Sequence, residues 1–207
     1  MSAVMERIAS APLLSEEDRA RAEHYAVISR LFASAPDAAF LTSLPALAAA
    51  WGNAESALGQ AWLLLGDAAR AVTPADVEEE YTRIFLTIGR PEVMLFGSFY
   101  MAGFLMEEPL VELRHDLAEL GLGRRLGVTE SEDHIAALSD VMRHLIVTGP
   151  DAAGLARQKE FFARHIAPWF ERLGVALENA PEARFYPRTA ALVRAFFEIE
   201  RFAFDMI

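Results

Sequence analysis

An all-α fold, a compact bundle of about nine to ten helices, is what the sequence predicts, and three observations carry that prediction. Apolar residues recur at helical spacing from one end of the chain to the other. Capping residues and Gly/Pro punctuation separate those stripes. Alternating patterns of period two are absent, as is any repeat of 20 to 50 residues. At 207 residues the chain is long enough for one domain or two small ones, burying about 70% of its unfolded surface.

Ser15 followed by Glu16, Glu17 and Asp18 is a helix N-terminus, with acids where the helix dipole is positive. Tyr25, Ile28, Leu31 and Phe32 supply its apolar stripe. Asp37 is expected to cap a second helix and Asn53 a third, which carries Leu58, Trp62 and Leu65. Residues 38 to 66 hold one charge, Glu55, yet Pro45, Gly52, Asn53 and Gln60 interrupt them. A membrane span needs about 20 predominantly apolar residues, so two soluble helices are expected here.

Thr73-Pro74 is a cap followed by proline at the first helical position. Val77, Tyr81, Ile84, Phe85 and Ile88 then share one face, with Asp76 and Glu78 to Glu80 as an acidic outer face, and the helix should stop near Gly89-Arg90-Pro91. Gly97-Ser98 is expected to be a loop ending in an N-cap, with a short helix from near Phe99. Pro109 opens the next helix, with Leu110, Leu113, Leu117 and Leu120 inward and Gly121-Leu122 as its C-cap. The glycines at 121, 123 and 127 make residues 121–131 a linker. From Glu132 another stripe, Ile135, Leu138, Val141, Met142, Leu145 and Ile146, runs to Gly149-Pro150. Phe162, Ile166, Trp169, Phe170 and Leu173 predict one helix kinked at Pro168. The last helix begins near Pro187 and turns Leu192, Phe196, Ile199 and Ala203 to one side. The whole chain, residues 1–207, is thus expected to form a single helical domain, with an N-terminal portion (residues 1–120), a hinge (residues 121–131) and a C-terminal portion (residues 132–207).

Composition narrows the chemistry. Cysteine is absent, which excludes disulfides, thiolate metal sites and cysteine nucleophiles. The net charge of −11 lies in residues 1 to 149, and lysine occurs once, as Lys159. Such a surface repels nucleic-acid phosphates and anionic lipid; it serves solubility or steers a cationic partner. Residues 1–7 lack the basic head and apolar core of a secretory signal, so the expected location is cytoplasmic, without stable membrane insertion.

No phosphate-binding loop, dinucleotide turn, H-E-x-x-H pair or nucleophile elbow occurs. Glu112-Leu113-Arg114-His115 is the one Glu-x-x-His, where a di-iron bundle needs two. No enzyme of a familiar class is therefore expected, and no catalytic residue, metal or cofactor. The alternatives are a general helical adaptor, or a helical metalloprotein or enzyme using His115, His134, His144 or His165. His134 and His144 are a poor pair for one ion, about 80° apart around a helix and some three turns along it.

Two stretches concentrate the binding potential. Between Glu92 and Glu107 no charge appears, and the interval holds Met94, Phe96, Phe99, Tyr100, Met101, Phe104 and Met106. This pattern serves either a core helix or a pliable surface for varied peptides. Glu130-Ser131-Glu132-Asp133-His134-Ile135 is the most polar cluster, with His134 on the inward face and Asp133 nearly opposite, where it can cap its own helix. These acids either stabilise a helix start or edge a groove for an arginine-bearing peptide.

Three segments together resemble the TorD/DmsD/NarJ-like chaperones of molybdenum oxidoreductases. They are Glu80-Tyr81-x-x-Ile84-Phe85 leading through Pro91 to Gly97-Ser98-Phe99-Tyr100; Glu130-x-x-Asp133-His134-Ile135 with Met142 behind it; and Phe161 to Phe170 with Phe185-Tyr186 and the closing helix. The likeness covers roughly residues 75 to 205, while the first 70 match only in being helical. It departs at Ile88-Gly89, at Met94 and Leu95, at Ser131 in place of a hinge proline and at Leu138 in place of an acid.

The resemblance implies a TorD-like helical fold and an enzyme-specific chaperone that binds the apo form or twin-arginine leader of a molybdopterin-dependent catalytic subunit. Formate dehydrogenase is marginally preferred as client over a dimethyl-sulfoxide or trimethylamine-oxide reductase. The resemblance also implies weak GTP binding in some members, and a monomer or a hinge-swapped dimer. By motif it carries over Tyr81, Phe85, Phe96, Ser98, Tyr100, Asp133 and His134 as client-binding residues, to which Phe99, Met101, Phe104, Glu130 and Glu132 are added from the two stretches. The leader's arginines are expected to meet carboxylates among Glu78 to Glu80, Glu107, Glu108, Glu130, Glu132 and Asp133.

Overall fold

The computed structural model describes residues 14–87, 90–105, 107–124 and 130–207. Among these residues the fold consists of ten helices: α1 Glu16–Ala33, α2 Ala38–Trp51, α3 Ala57–Ala71, α4 Pro74–Phe85, α5 Gly97–Ala102, α6 Glu108–Glu119, α7 Ile135–Thr148, α8 Ala152–His165, α9 Phe170–Glu178 and α10 Tyr186–Asp205. None of them is long and apolar enough to cross a membrane. The residues 1–7 on which the signal-peptide reading rests, Met106 and the hinge residues 125–129 lie outside the described residues.

Local signals placed most boundaries. Ser15 Oγ accepts from Asp18 N at 2.9 Å, and Asp37 Oδ1 from Phe40 N at 2.7 Å. Thr73 and Asp76 form a reciprocal capping box. After α6, Gly121 adopts φ +70°; its N–H reaches Ala118 O and Leu122 N reaches Leu117 O, so both bonds of a Schellman turn are present.

Several expectations need correction. Asn53 does not cap α3: its Oδ1 accepts from Glu55 N and Ser56 N to shape the preceding turn, and Ser56 caps the helix. Helix α4 stops at Phe85, because the chain folds back and Val93 N takes the Ile84 carbonyl at 3.1 Å; Ile88 and Gly89 lie outside the described residues. Helix α7 starts at Ile135 rather than Glu132, since the preceding residues pair with residues 95 to 97. Pro168 separates two helices instead of kinking one: Trp169 Nε1 donates to His165 O at 2.6 Å, and α9 starts afresh at Phe170. Ile199, expected inside, is 48% exposed.

One continuous core runs from Ala22 to Phe204. Helix α1 lies along α7 and touches α10; α2 pairs with α3, α10 packs on α3 and α9, and α8 joins α7 to α6. At the α2–α3 crossing a Cβ on Gly66 would come within 2.5 Å of the Ala48 Cβ, so the close approach requires glycine. An aromatic cluster of Phe32, Tyr81, Phe85 and Tyr186 ties α1, α4 and α10 together.

Candidate functional site

The short helix α5 is held at its start by residues far away in sequence. The segment before it pairs with the segment before α7 as one antiparallel bridge, Phe96 to His134. Gly97 N donates to Asp133 O at 3.0 Å, and Ile135 N donates to Leu95 O at 2.9 Å. No side chain of its own segment caps α5. The Asp133 carboxylate does so instead, accepting from Ser98 N at 2.8 Å and Ser98 Oγ at 2.6 Å, while Ser131 Oγ donates to its other oxygen. Helix α5 thus begins at Gly97 rather than near Phe99, and Ser98 lies inside its first turn.

Trp169 closes the junction from the third motif segment. A Cβ on Gly97 would approach the Trp169 indole nitrogen to 3.0 Å, and the Tyr100 ring stacks on the same indole at 5.4 Å. All three stretches that carry the family resemblance therefore meet at one point of the fold.

Asp133 does not cap α7; His134 does, its Nδ1 accepting from Ala136 N at 3.1 Å. Burial lowers the His134 imidazole to about 4, although Glu130 and Asp133 pull it upward. Burial lowers His24 as well; its Nε2 accepts from the Trp62 indole at 2.9 Å, which leaves Nδ1 as the donor to Ala20 O. Since these folded-state values lie below that of an exposed histidine, the unfolded chain takes up protons that the folded one refuses. Stability is then complete above about pH 6.5 and declines as pH falls toward 4, with His134 contributing on the order of 3 kcal/mol. Melting temperatures recorded from pH 7.5 to 4.5 should fall steadily, and less steeply in a His134→Asn protein, which keeps a capping acceptor. Equal slopes for the two proteins would contradict this assignment.

The predicted site residues divide into three groups. Tyr81, Phe85, Ser98, Asp133 and His134 are buried. Tyr81 donates its hydroxyl to Phe32 O at 3.0 Å. Phe96, Phe99, Tyr100, Met101 and Glu132 are half-buried, Arg90 lying over the Phe99 ring at 5.1 Å. Phe104 is 72% exposed, and Glu130 is also on the surface.

Among the carboxylates named for leader arginines, Glu80 is placed quite differently from its neighbours. It is buried, and accepts from the backbone N–H groups of Arg184, Phe185 and Tyr186 at 2.8, 3.1 and 2.8 Å where α10 begins. Its place in the sequence signalled this, three residues after Val77 and four before Ile84, on the apolar face. Glu200 was missed for want of the same reading. It lies between Phe196 and Phe204 at spacings of four, and binds Arg21 through both oxygens, at 2.7 and 2.9 Å, and the Tyr25 hydroxyl at 2.9 Å.

Among the described residues, two surfaces near this junction face solvent. Beyond α5, Phe104, Leu105 at 43% and Val111 at 63% are exposed among the exposed acids Glu107, Glu108 and Glu112. Beside the segment that the sequence suggests as a hinge, a cleft of about 550 Å³ lies between α1, the end of α6 and α7. Glu130, Glu132, His134, Asp140, His144 and Arg124 supply its charged and imidazole lining. Of these, Arg124 and Asp140 were not predicted, and nothing in their local spacing singles them out. Among the described residues no group of three or more His, Asp or Glu side chains is placed to hold a metal ion.

Comparison with known proteins bears on the family and the fold. Residues 46–174 match the family model for the nitrate reductase delta subunit, so the match starts upstream of the motif-bearing region. The chaperone protein TorD of three strains of Vibrio cholerae is 22% identical over 138 residues. The alignment covers 63% of this chain, and the chain spans 63% of the length of those relatives. A crystal structure described as a redox enzyme maturation protein from Archaeoglobus fulgidus superposes with a TM-score of 0.55. At 17% identity it covers 94% of this chain and 99% of its own, and so shares the fold. On the family match, which spans more than half of the sequence, the chain belongs to the nitrate reductase delta subunit family, the TorD/NarJ-type group of redox enzyme maturation proteins.

Proposed function

We propose that the protein is a chaperone rather than an enzyme, and that it holds the apo catalytic subunit of a molybdopterin-dependent oxidoreductase, by way of its twin-arginine leader, until the cofactor is inserted in the cytoplasm. The observation that supports this reading best is the solvent-facing set Phe104, Leu105 and Val111 among Glu107, Glu108 and Glu112. Apolar side chains left in water beside carboxylates match a tail that is both oily and cationic. The hinge-side cleft, with Glu130 and Glu132, offers the arginines a second acidic surface. The buried motif residues Tyr81, Phe85, Ser98, Asp133 and His134 then act by shaping these surfaces rather than by touching the client. Formate dehydrogenase and the dimethyl-sulfoxide or trimethylamine-oxide reductases are the client classes to compare.

The test is calorimetric titration with leader peptides of those enzymes. Binding should weaken as salt is raised, because exposed charge pairs are screened over about 8 Å at physiological ionic strength. Phe104→Asp is expected to leave stability within about 0.5 kcal/mol, since the ring is in water, and to weaken leader binding about 30-fold or more, as for a central apolar anchor. A folded Phe104→Asp protein with native affinity would remove this face from the function. Failure to bind any molybdoenzyme leader or apo subunit would remove the function itself.

A further inference from the structure

Glu132 stands out in the hinge-side cleft for the company it keeps. Its side chain is 13% exposed, whereas the two guanidinium groups on it, Arg114 and Arg124, are 49% and 43% exposed. Arg114 donates twice to Oε2, from Nε at 3.1 Å and Nη2 at 2.9 Å. Arg124 approaches the other oxygen, Oε1, only to 3.9 Å, an ion pair too long for a hydrogen bond. Burial works against ionisation of this carboxyl group, but the Arg114 hydrogen bonds and both positive charges hold it below the usual carboxylate range.

A fixed, ionised acceptor is therefore shared unequally. One oxygen carries two direct hydrogen bonds, and the other faces a cation loosely held on a solvated stem. Guanidinium is well suited to a carboxylate because its planar fork donates to both oxygens. A second guanidinium that reached Oε1 at hydrogen-bond distance would gain what Arg124 does not have. Arg124 itself is followed in the sequence by Arg125 and Leu126, so consecutive arginines and an apolar residue occur together at this point of the chain.

We propose that Glu132 receives an arginine of the client leader and that Arg124 occupies that position in cis until the leader displaces it. This rests on the leader-binding function proposed above and gives it a built-in competitor. The apparent affinity of a site falls by the fraction of time that it is occupied from within, so the competitor sets a threshold for clients. A leader with one well-placed arginine and a long apolar run passes it, whereas a stray basic segment of an unrelated protein does not.

The experiment uses the full chain and a fluorophore-labelled synthetic peptide with two consecutive arginines ahead of an apolar run. Arg124→Gln should tighten binding about twofold to fivefold, the range of an exposed ion pair converted to affinity. Arg70→Gln is the charge-matched control, since Arg70 pairs with Asp67 on α3, outside the cleft. It changes net charge equally and should not tighten binding. In the Glu132→Gln background the Arg124→Gln gain should vanish. Equal affinity of Arg124→Gln and the unmodified protein overturns the proposal while leaving the leader-binding function standing, and so does an equal gain from Arg70→Gln. A peptide that binds none of these folded proteins overturns the function and the proposal together.

Discussion

Glu80→Ala should be among the most damaging single substitutions in the protein, lowering stability by about 4–5 kcal/mol. The Glu80 carboxylate accepts three consecutive backbone N–H groups at the start of α10, a helix whose own N-cap residue, Phe185, supplies no side-chain cap. Removing it strands the Phe185 and Tyr186 donors beside the aromatic cluster around Tyr186, where water cannot replace the lost acceptor. For a chain of this length the melting temperature should fall by about 10–20 °C. Glu80→Gln should fall between the two, because one amide oxygen still accepts but the NH₂ group faces donors. By contrast, Glu79→Ala, on the exposed side of the same helix, should be nearly silent. Similar melting temperatures for the Glu79 and Glu80 variants would show that the carboxylate is not what secures α10.

The features of the fold that were legible in the sequence are those decided within one turn of chain. Ser15, Asp37, Thr73 and Gly121 were readable because a cap and the groups it satisfies lie within about six residues of one another. The start of α5 and the anchoring of α10 were hidden for one reason. Helix α5 takes its N-terminal acceptor from Asp133, 35 residues away, and α10 takes its own from Glu80, more than 100 residues away. No window of local sequence contains both members of such a pair. Counting Glu80 with the outer acids came from its charge, although its spacing from Val77 and Ile84 already set it on the apolar face. The three motif segments named by the resemblance converge at one junction of the fold. Motif spacing could not say which of those residues are accessible, and most of the polar ones prove to be interior.

Asp133→Ala is the second large effect to expect, and it separates structural from direct roles at this junction. The carboxylate accepts from Ser98 N and Ser98 Oγ in buried contacts and from Ser131 Oγ in a part-buried one. Its loss should cost about 4 kcal/mol, as hydrogen bonds to a charged acceptor are withdrawn from buried donors. The damage should be local at first. Six residues of helix with no side-chain cap of their own cannot persist in isolation, so α5 should loosen before the rest of the fold. Amide hydrogens of residues 98 to 102 should exchange much faster, while those of α1 and α7, which pack along each other, change little below the melting transition. Such a protein should also bind leader peptide poorly, because Phe104 and Leu105 hang from the far end of α5, about 9 Å along its axis. Restoring α5 at low temperature or with a stabilising osmolyte should then restore binding with Asp133 still absent. Binding that stays lost once α5 exchange has returned to its native rate would mean that Asp133 meets the client directly, despite its burial.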